Sequence, residues 1–249
     1  MRILLALERW PSRPALVDPA LAVAKAMQAV ITTLYVENEA LLRYAALPFA
    51  REVDPHSGEE RRLDPAALER AFRAEAQRAH RALLAAARHH DVPLSFRVAR
   101  GSMHGVAETA AEEADILVLG LFGAIGRPVS TQSAQRRAVP APRVLAFYSG
   151  GPESARALAM ARRVAEASAQ PLAVLAPPAQ RRSAEALLAE VGALSALGDM
   201  ASPDLAAFLE VAAREPEATV VLPYSAAGPL APLRQALPAV RDRLFFVVK

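Results

Sequence analysis

The stretch Gly120-Leu121-Phe122-Gly123-Ala124-Ile125-Gly126, with Ser130 and Thr131 just beyond it, has the clearest chemical potential in the sequence. Glycines let a ligand approach the backbone closely and open positive φ. Successive N–H groups in a turn that enters a helix favour an anion, and the two hydroxyls could donate to it. The plain alternative is a tight strand-to-helix turn. Glu8 follows a short apolar run and could accept a hydrogen bond from a ribose hydroxyl. The alternative there is an exposed polar residue beside Arg9. His56, His80, His89, His90 and His104 contain no i, i+4 pair of the kind that holds a metal on a helix face. Of these, His104 stands near the end of an expected strand and could approach a ligand; the others read as surface residues. There is no cysteine, which excludes a thiolate metal site, a disulfide and a cysteine nucleophile, and fits a reducing compartment. No HExxH, GxSxG, complete Walker A or DFG-type pattern occurs. The expectation is therefore a binding protein with no metal site and no catalytic residues.

Such residues need elements to hold them. Short apolar runs at 3–7, 30–36, 94–98 and 114–120 read as strands, separated by helical spacing at 19–29, about 64–88 and 106–113. Asp64 followed by Pro65 marks a helix start. Residues 37–63, with Pro48 and Pro55, read as an irregular excursion. The alternation then recurs. Strands are expected at 144–148, 172–175, 193–197, 219–222 and 244–248. Helices are expected at about 154–167, 183–191, 203–214 and 230–237, with Ser202 a plausible cap for the third. Strands alternating with helices imply right-handed crossovers and a parallel sheet. Two cycles of similar order imply a tandem repeat of one α/β unit, residues 1–142 and 143–249, divided where Val139-Pro140-Ala141-Pro142 breaks any helix. The first cycle has four strands and the second five. In such sheets ligands sit beyond the carboxyl ends of the strands where the strand order reverses. Glu8 and the glycine-rich stretch both fall there.

The run Arg100-Gly101 through Asp115-Ile-Leu-Val-Leu-Gly120-Leu-Phe-Gly123 resembles the universal stress protein family, and the likeness covers most of residues 1–123. The resemblance implies open parallel sheets of strand order 3-2-1-4-5, a tandem two-domain member with a degenerate second domain, and an ATP or AMP site. Carried over residue by residue, Glu8 matches the acidic residue after the first strand, one methylene longer than the usual Asp. Val36 matches the backbone contact to adenine. Gly120 and Gly123 match the GxxG. The Gly-Ser or Gly-Thr expected nine residues later is absent. Ser130 and Thr131 replace it only if the loop is shortened, and Val129 then stands where a glycine belongs. In the second cycle Ser149 replaces the acid, and Pro223-Tyr224-Ser225-Ala226 replaces GxxG. Pro223 lacks an N–H for phosphate. The second unit therefore reads as structural or partner-binding.

The 249 residues are 53% hydrophobic and 22% charged, a globular balance. The isoelectric point near 9.7 reflects arginine preference, since Lys25 and Lys249 are the only lysines. The arginine pairs 61–62, 136–137 and 181–182 are scattered, so no specific nucleic-acid partner is expected. The apolar run 3–7 is too short for a signal-peptide core, and no run approaches the roughly 20 residues that span a bilayer. The expectation is a cytoplasmic protein with no membrane insertion. Strand 244–248 would be an exposed apolar edge in need of cover, which implies an internal pseudo-dimer or a homodimer. Two functional readings follow: a nucleotide-responsive stress or regulatory protein, or an interaction module that has lost its phosphate loop. A nucleotidyl-transferase-like enzyme on a related fold would be a third, but no general base or metal cluster supports it.

Overall fold

The computed structural model describes residues 1–9, 17–54, 57–121, 143–191, 195–199, 205–215, 218–224 and 243–248. The first half contains β1 (Arg2–Leu7), α1 (Asp18–Ala26), β2 (Val30–Asn38), α2 (Glu39–Ala45), β3 (Arg51–Val53), β4 (Glu60–Arg62), α3 (Pro65–His90), β5 (Leu94–Gly101), α4 (Met103–Ala111) and β6 (Ile116–Leu121). The second contains β7 (Val144–Phe147), α5 (Gly151–Ser168), β8 (Leu172–Ala176), α6 (Arg181–Val191), β9 (Ser195–Asp199), α7 (Leu205–Ala213), β10 (Thr219–Pro223) and β11 (Arg243–Val248). The mixed α/β class expected from the alternation is the class observed.

The sheets are not separate. One sheet of nine strands runs β5-β2-β1-β6-β11-β10-β7-β8-β9. Every neighbouring pair is parallel except β11 and β6, which are antiparallel from Arg243↔Leu121 to Val248↔Ile116. In chain order the first group reads 3-2-1-4 and the second 3-2-1-4-5. The place beside β6 where a fifth strand of the first group would lie is taken by β11. The expected open edge at 244–248 is thus an interior strand, paired on both sides. The strands of the two groups run in opposite directions, so their carboxyl ends lie on opposite edges of the sheet.

Side chains alternate between two apolar layers, as the period of a strand requires. Ile3, Leu5 and Leu7 join Leu21 of α1, Leu83 of α3 and Val164 of α5 on one face. Leu4 and Ala6 join Met103 of α4 and Phe208 and Leu209 of α7 on the other. Helix α1 also packs on α5, so the halves meet in the helical layer as well. Buried Ala20, Ala24, Ala157, Ala161 and Ala165 keep those helices slim at the faces they bury. Helix α3 starts as expected: Asp64 accepts the Ala66 N–H at 3.0 Å and Pro65 occupies the first turn. It buries Ala76, Ala79, Leu83 and Ala87, one stripe at helical spacing.

The excursion 37–63, expected to be irregular, contains regular elements among its described residues. It holds α2 and the hairpin β3–β4, whose register runs Arg51↔Arg62 to Val53↔Glu60. The helix expected from residue 106 begins three residues earlier, because Ser102 accepts the Gly105 N–H at 3.1 Å. The strand expected at 193–197 is β9, two residues further on. The helix at 230–237 and the Ser202 cap lie outside the described residues.

Since β11 serves both groups, truncating a buried side chain there should weaken the whole sheet. Phe246 is fully buried, and Phe246→Ala should cost about 3–5 kcal/mol. Urea unfolding should show one cooperative transition moved to lower denaturant. Val98→Ala on edge strand β5, where Val98 is 49% exposed, should cost less than about 1 kcal/mol.

Candidate functional site

The strands of the first group end at different heights at their carboxyl edge, which leaves a step, a crevice among the described strands, past the end of β1. Strand β1 ends at Leu7, opposite Tyr35 on one side and Gly120 on the other. Strand β2 continues three residues further to Asn38, with β5 beside it as far as Gly101. Strand order reverses at β1, between β2 and β6, and Glu8 is the first residue past that strand. Of the residues expected to bind a ligand, Glu8, Val36 and Gly120 therefore meet around one strand end. Gly123, Ser130 and Thr131 lie outside the described residues.

Glu8 is held by a specific contact. Asn38 Nδ2 donates to Glu8 Oε1 at 2.7 Å. Asn38 Oδ1 meanwhile accepts the Leu41 N–H at 3.1 Å and caps α2. Val36 has its side chain fully buried in the layer shared with Ala6 and Met103. An interaction with a ligand there would use its backbone. Gly120 belongs to the strand expected at 114–120 and not to the turn expected to follow it. It is a buried residue inside β6, opposite Leu7 on one side and Leu244 on the other, and not part of a loop. The antiparallel partner explains this, because β11 prolongs β6 through Leu121. The same register sets the Arg243 backbone beside Leu121, at the mouth of the crevice.

Sequence reasoning missed the charged pair behind the crevice. Glu37 is 6% exposed, and Arg100 Nε donates to its Oε2 at 3.0 Å. Arg100 also reaches Glu69 of α3 at 3.4 Å, and Glu69 bonds Arg73 at 3.2 Å. The register Glu37↔Arg100 brings these residues together across 63 positions of sequence. The bond to Glu37 first, then the charges of Glu37 and Glu69, holds the guanidinium more firmly protonated than usual. Gly101 follows with φ of +153°, and a Cβ there would stand 2.8 Å from Val106 Cγ2. Only glycine lets β5 turn into α4 this closely.

Tyr35 is buried beneath the crevice, its ring 6.3 Å from that of Phe96. His80, an exposed residue as expected, also stacks on Phe96, at 4.6 Å. His104 lies in the first turn of α4. Among the described residues no three His, Asp or Glu side chains gather as a metal ion would need. No helix of the described residues is long and apolar enough to cross a membrane.

Past the end of β7 in the second group, hydroxyls pair with one another. Ser149 Oγ lies 3.0 Å from Ser154 Oγ, and Tyr148 Oη 2.9 Å from Ser183 Oγ. Gly150, at φ of +94°, has the Gln180 amide packed where a Cβ would point. Pro223 ends β10 with β11 alone beside it. This edge faces away from the Glu8 crevice.

No family model matches the chain, and no curated protein matches it. Among solved structures it is similar to a universal stress protein from Archaeoglobus fulgidus DSM 4304. The sequence identity is 13% and the TM-score 0.50, over 100% of this chain and 96% of that one. It is also similar to a functionally unknown protein from Pseudomonas aeruginosa PAO1, at 13% identity and a TM-score of 0.47, over 100% and 92% of the two chains. The first likeness identifies the fold as one of universal stress protein type.

Burial lifts the Tyr35 phenol above its usual 10.0; Glu75 adds to this, Arg9 opposes it, and Glu37 and Glu8 add further. A raised folded value means the stabilising contribution is complete below about pH 10 and is lost as pH rises beyond it. Folding stability should fall by up to ~1.4 kcal/mol per pH unit above that point from this group. Denaturant titrations between about pH 9 and 11 should show Tyr35→Phe losing less than the wild type.

Proposed function

We propose that the chain is a universal-stress-protein-like regulatory protein that binds an adenine nucleotide, ATP or AMP, without turning it over. The observation that carries this reading is Glu8, fixed by Asn38 just past the end of β1 where the strand order reverses. Ligands of open α/β sheets sit at that point. In this reading Glu8 accepts from a ribose hydroxyl and the Val36 backbone meets adenine. Gly123, Ser130 and Thr131 serve the phosphates, while Gly120 stays in β6 as the strand end that leads to them. Residues 1–142 form the nucleotide unit and residues 143–249 its structural companion, in a tandem arrangement that acts in the cytoplasm. The second unit lacks an acid at Ser149 and offers Pro223 in place of a glycine, which supports its structural role.

A second reading rests on a different observation. Leu41, Tyr44, Leu47, Phe49 and Val53 are 40%, 44%, 40%, 68% and 58% exposed, all between the start of α2 and the end of β3. A cluster of this kind marks interaction surfaces in other proteins. Under this reading the protein is an interaction module that has no use for nucleotide.

Calorimetry on protein stripped of ligand separates the two. Saturable heat with ATP or AMP is expected, and Glu8→Ala should weaken it about tenfold or more, the worth of a hydrogen bond to a charged group. Gly123→Val should abolish the nucleotide response. Absence of heat and of thermal shift at millimolar nucleotide would overturn the nucleotide reading and leave the interaction module.

A further inference from the structure

The Asn38 amide is fixed at both ends. Its oxygen faces a backbone N–H, which can only donate, and its nitrogen faces a carboxylate, which can only accept. The two partners agree on one orientation of the amide, so the flip ambiguity of asparagine does not arise. The anchoring N–H belongs to the first turn of α2, and Asn38 itself pairs with Gly101 at the end of β5. Glu8 is thus tied through one side chain to two elements. Its other oxygen, Oε2, accepts no hydrogen bond from the described residues.

Glutamate has one more rotatable bond than aspartate and loses more rotamer freedom when it is ordered. A free Glu8 would sample positions in and out of the crevice. Bonded through Oε1, it offers a single oxygen in a set direction before any ligand arrives. Preorganisation of this kind converts a flexible acceptor into a selective one. Other capping residues would not do both tasks. An aspartate in place of Asn38 would cap α2 equally well but set a second carboxylate against Glu8. A serine would cap without the reach.

We propose that Asn38 is a positioning residue that aims Glu8, and that the second oxygen, Oε2, which accepts nothing from the described residues, selects a ribonucleotide over a 2′-deoxyribonucleotide. The selectivity rests on the nucleotide reading above; the positioning does not. A site built around a substrate hydroxyl rejects the analogue that lacks it, because its own polar group is left unpaired.

The test uses Asn38→Asp, Glu8→Gln and the double variant of the full chain at about pH 8. Without ligand, Asn38→Asp should lower the thermal midpoint even though aspartate is as good a helix cap. The double variant should recover most of the loss, because the glutamine amide can donate to the introduced carboxylate and restore the bond in reverse. A merely structural asparagine would give no such rescue. With ligand, the wild type should bind AMP at least about tenfold more tightly than 2′-deoxyAMP. Asn38→Asp should bring the two within about threefold, as expected when the hydrogen bond is no longer aimed. A midpoint unchanged by Asn38→Asp, or a double variant no better than the single one, would overturn the positioning role. An undiminished AMP preference in Asn38→Asp would overturn its link to selectivity. A wild type that binds neither nucleotide would overturn the selectivity together with the nucleotide reading, and the thermal cycle alone would then decide the positioning role.

Discussion

The antiparallel pairing of β11 with β6 is the contact on which the other features depend. It is the one reversal in a sheet otherwise built of parallel neighbours. Without it β6 and β11 would each present a long row of unpaired N–H and C=O groups, the kind of edge proteins cover or shorten. With it the last strand of the chain supplies what the first group of strands lacks. Phe246 and Val247 then stand in opposite layers of the core, so both faces of the sheet are continuous across the junction. The packing of α1 on α5 follows from the same geometry, since the two helices lie on one face over neighbouring groups of strands.

The reversal also decides where chemistry can be placed. It sends the carboxyl ends of the two groups to opposite edges, so Glu8 and Ser149 never share a crevice. On the Glu8 edge the strands stop at different heights, and the polar residues sit on the longer ones. Glu37 is tied to Arg100, and Asn38 to Glu8, each a bond between neighbouring strand ends. A buried carboxylate without its partner would be expensive, so Arg100 is needed for Glu37 to occupy that position at all. Arg100 in turn is steadied by Glu69 from α3. These links hold the end of β2 rigid, and Glu8 inherits that rigidity through Asn38.

Much of this order is legible in the residues, and what is not has physical causes. The strands show themselves as short apolar or β-branched runs, and α3 by Asp64-Pro65 and its stripe of small residues. The count of four strands and then five points to the missing fifth strand. That β11 fills the gap is not legible, because strand pairing between distant segments leaves no local pattern. Helix α2 escapes a sequence reading because its seven residues are too few to show helical periodicity, although Asn38 is a good cap. Local pattern ends the strand at Gly120 because glycine usually punctuates a strand; here a partner strand carries the ladder one residue past it. Glu8 and Val36 come from local pattern and the family likeness. Glu37 with Arg100, and Asn38 with Glu8, are invisible for the same reason as β11: only the register brings them together.

The central claim is that the crevice beyond β1 holds an adenine nucleotide aimed by Glu8. Native mass spectrometry tests it most directly, on protein as purified and again after incubation with AMP or ATP at millimolar concentration. The account expects a population heavier than the bare chain by the mass of one nucleotide, strongly reduced in Glu8→Ala. A spectrum holding the bare chain alone under both conditions would contradict it, as would a nucleotide adduct retained equally by the Glu8→Ala variant.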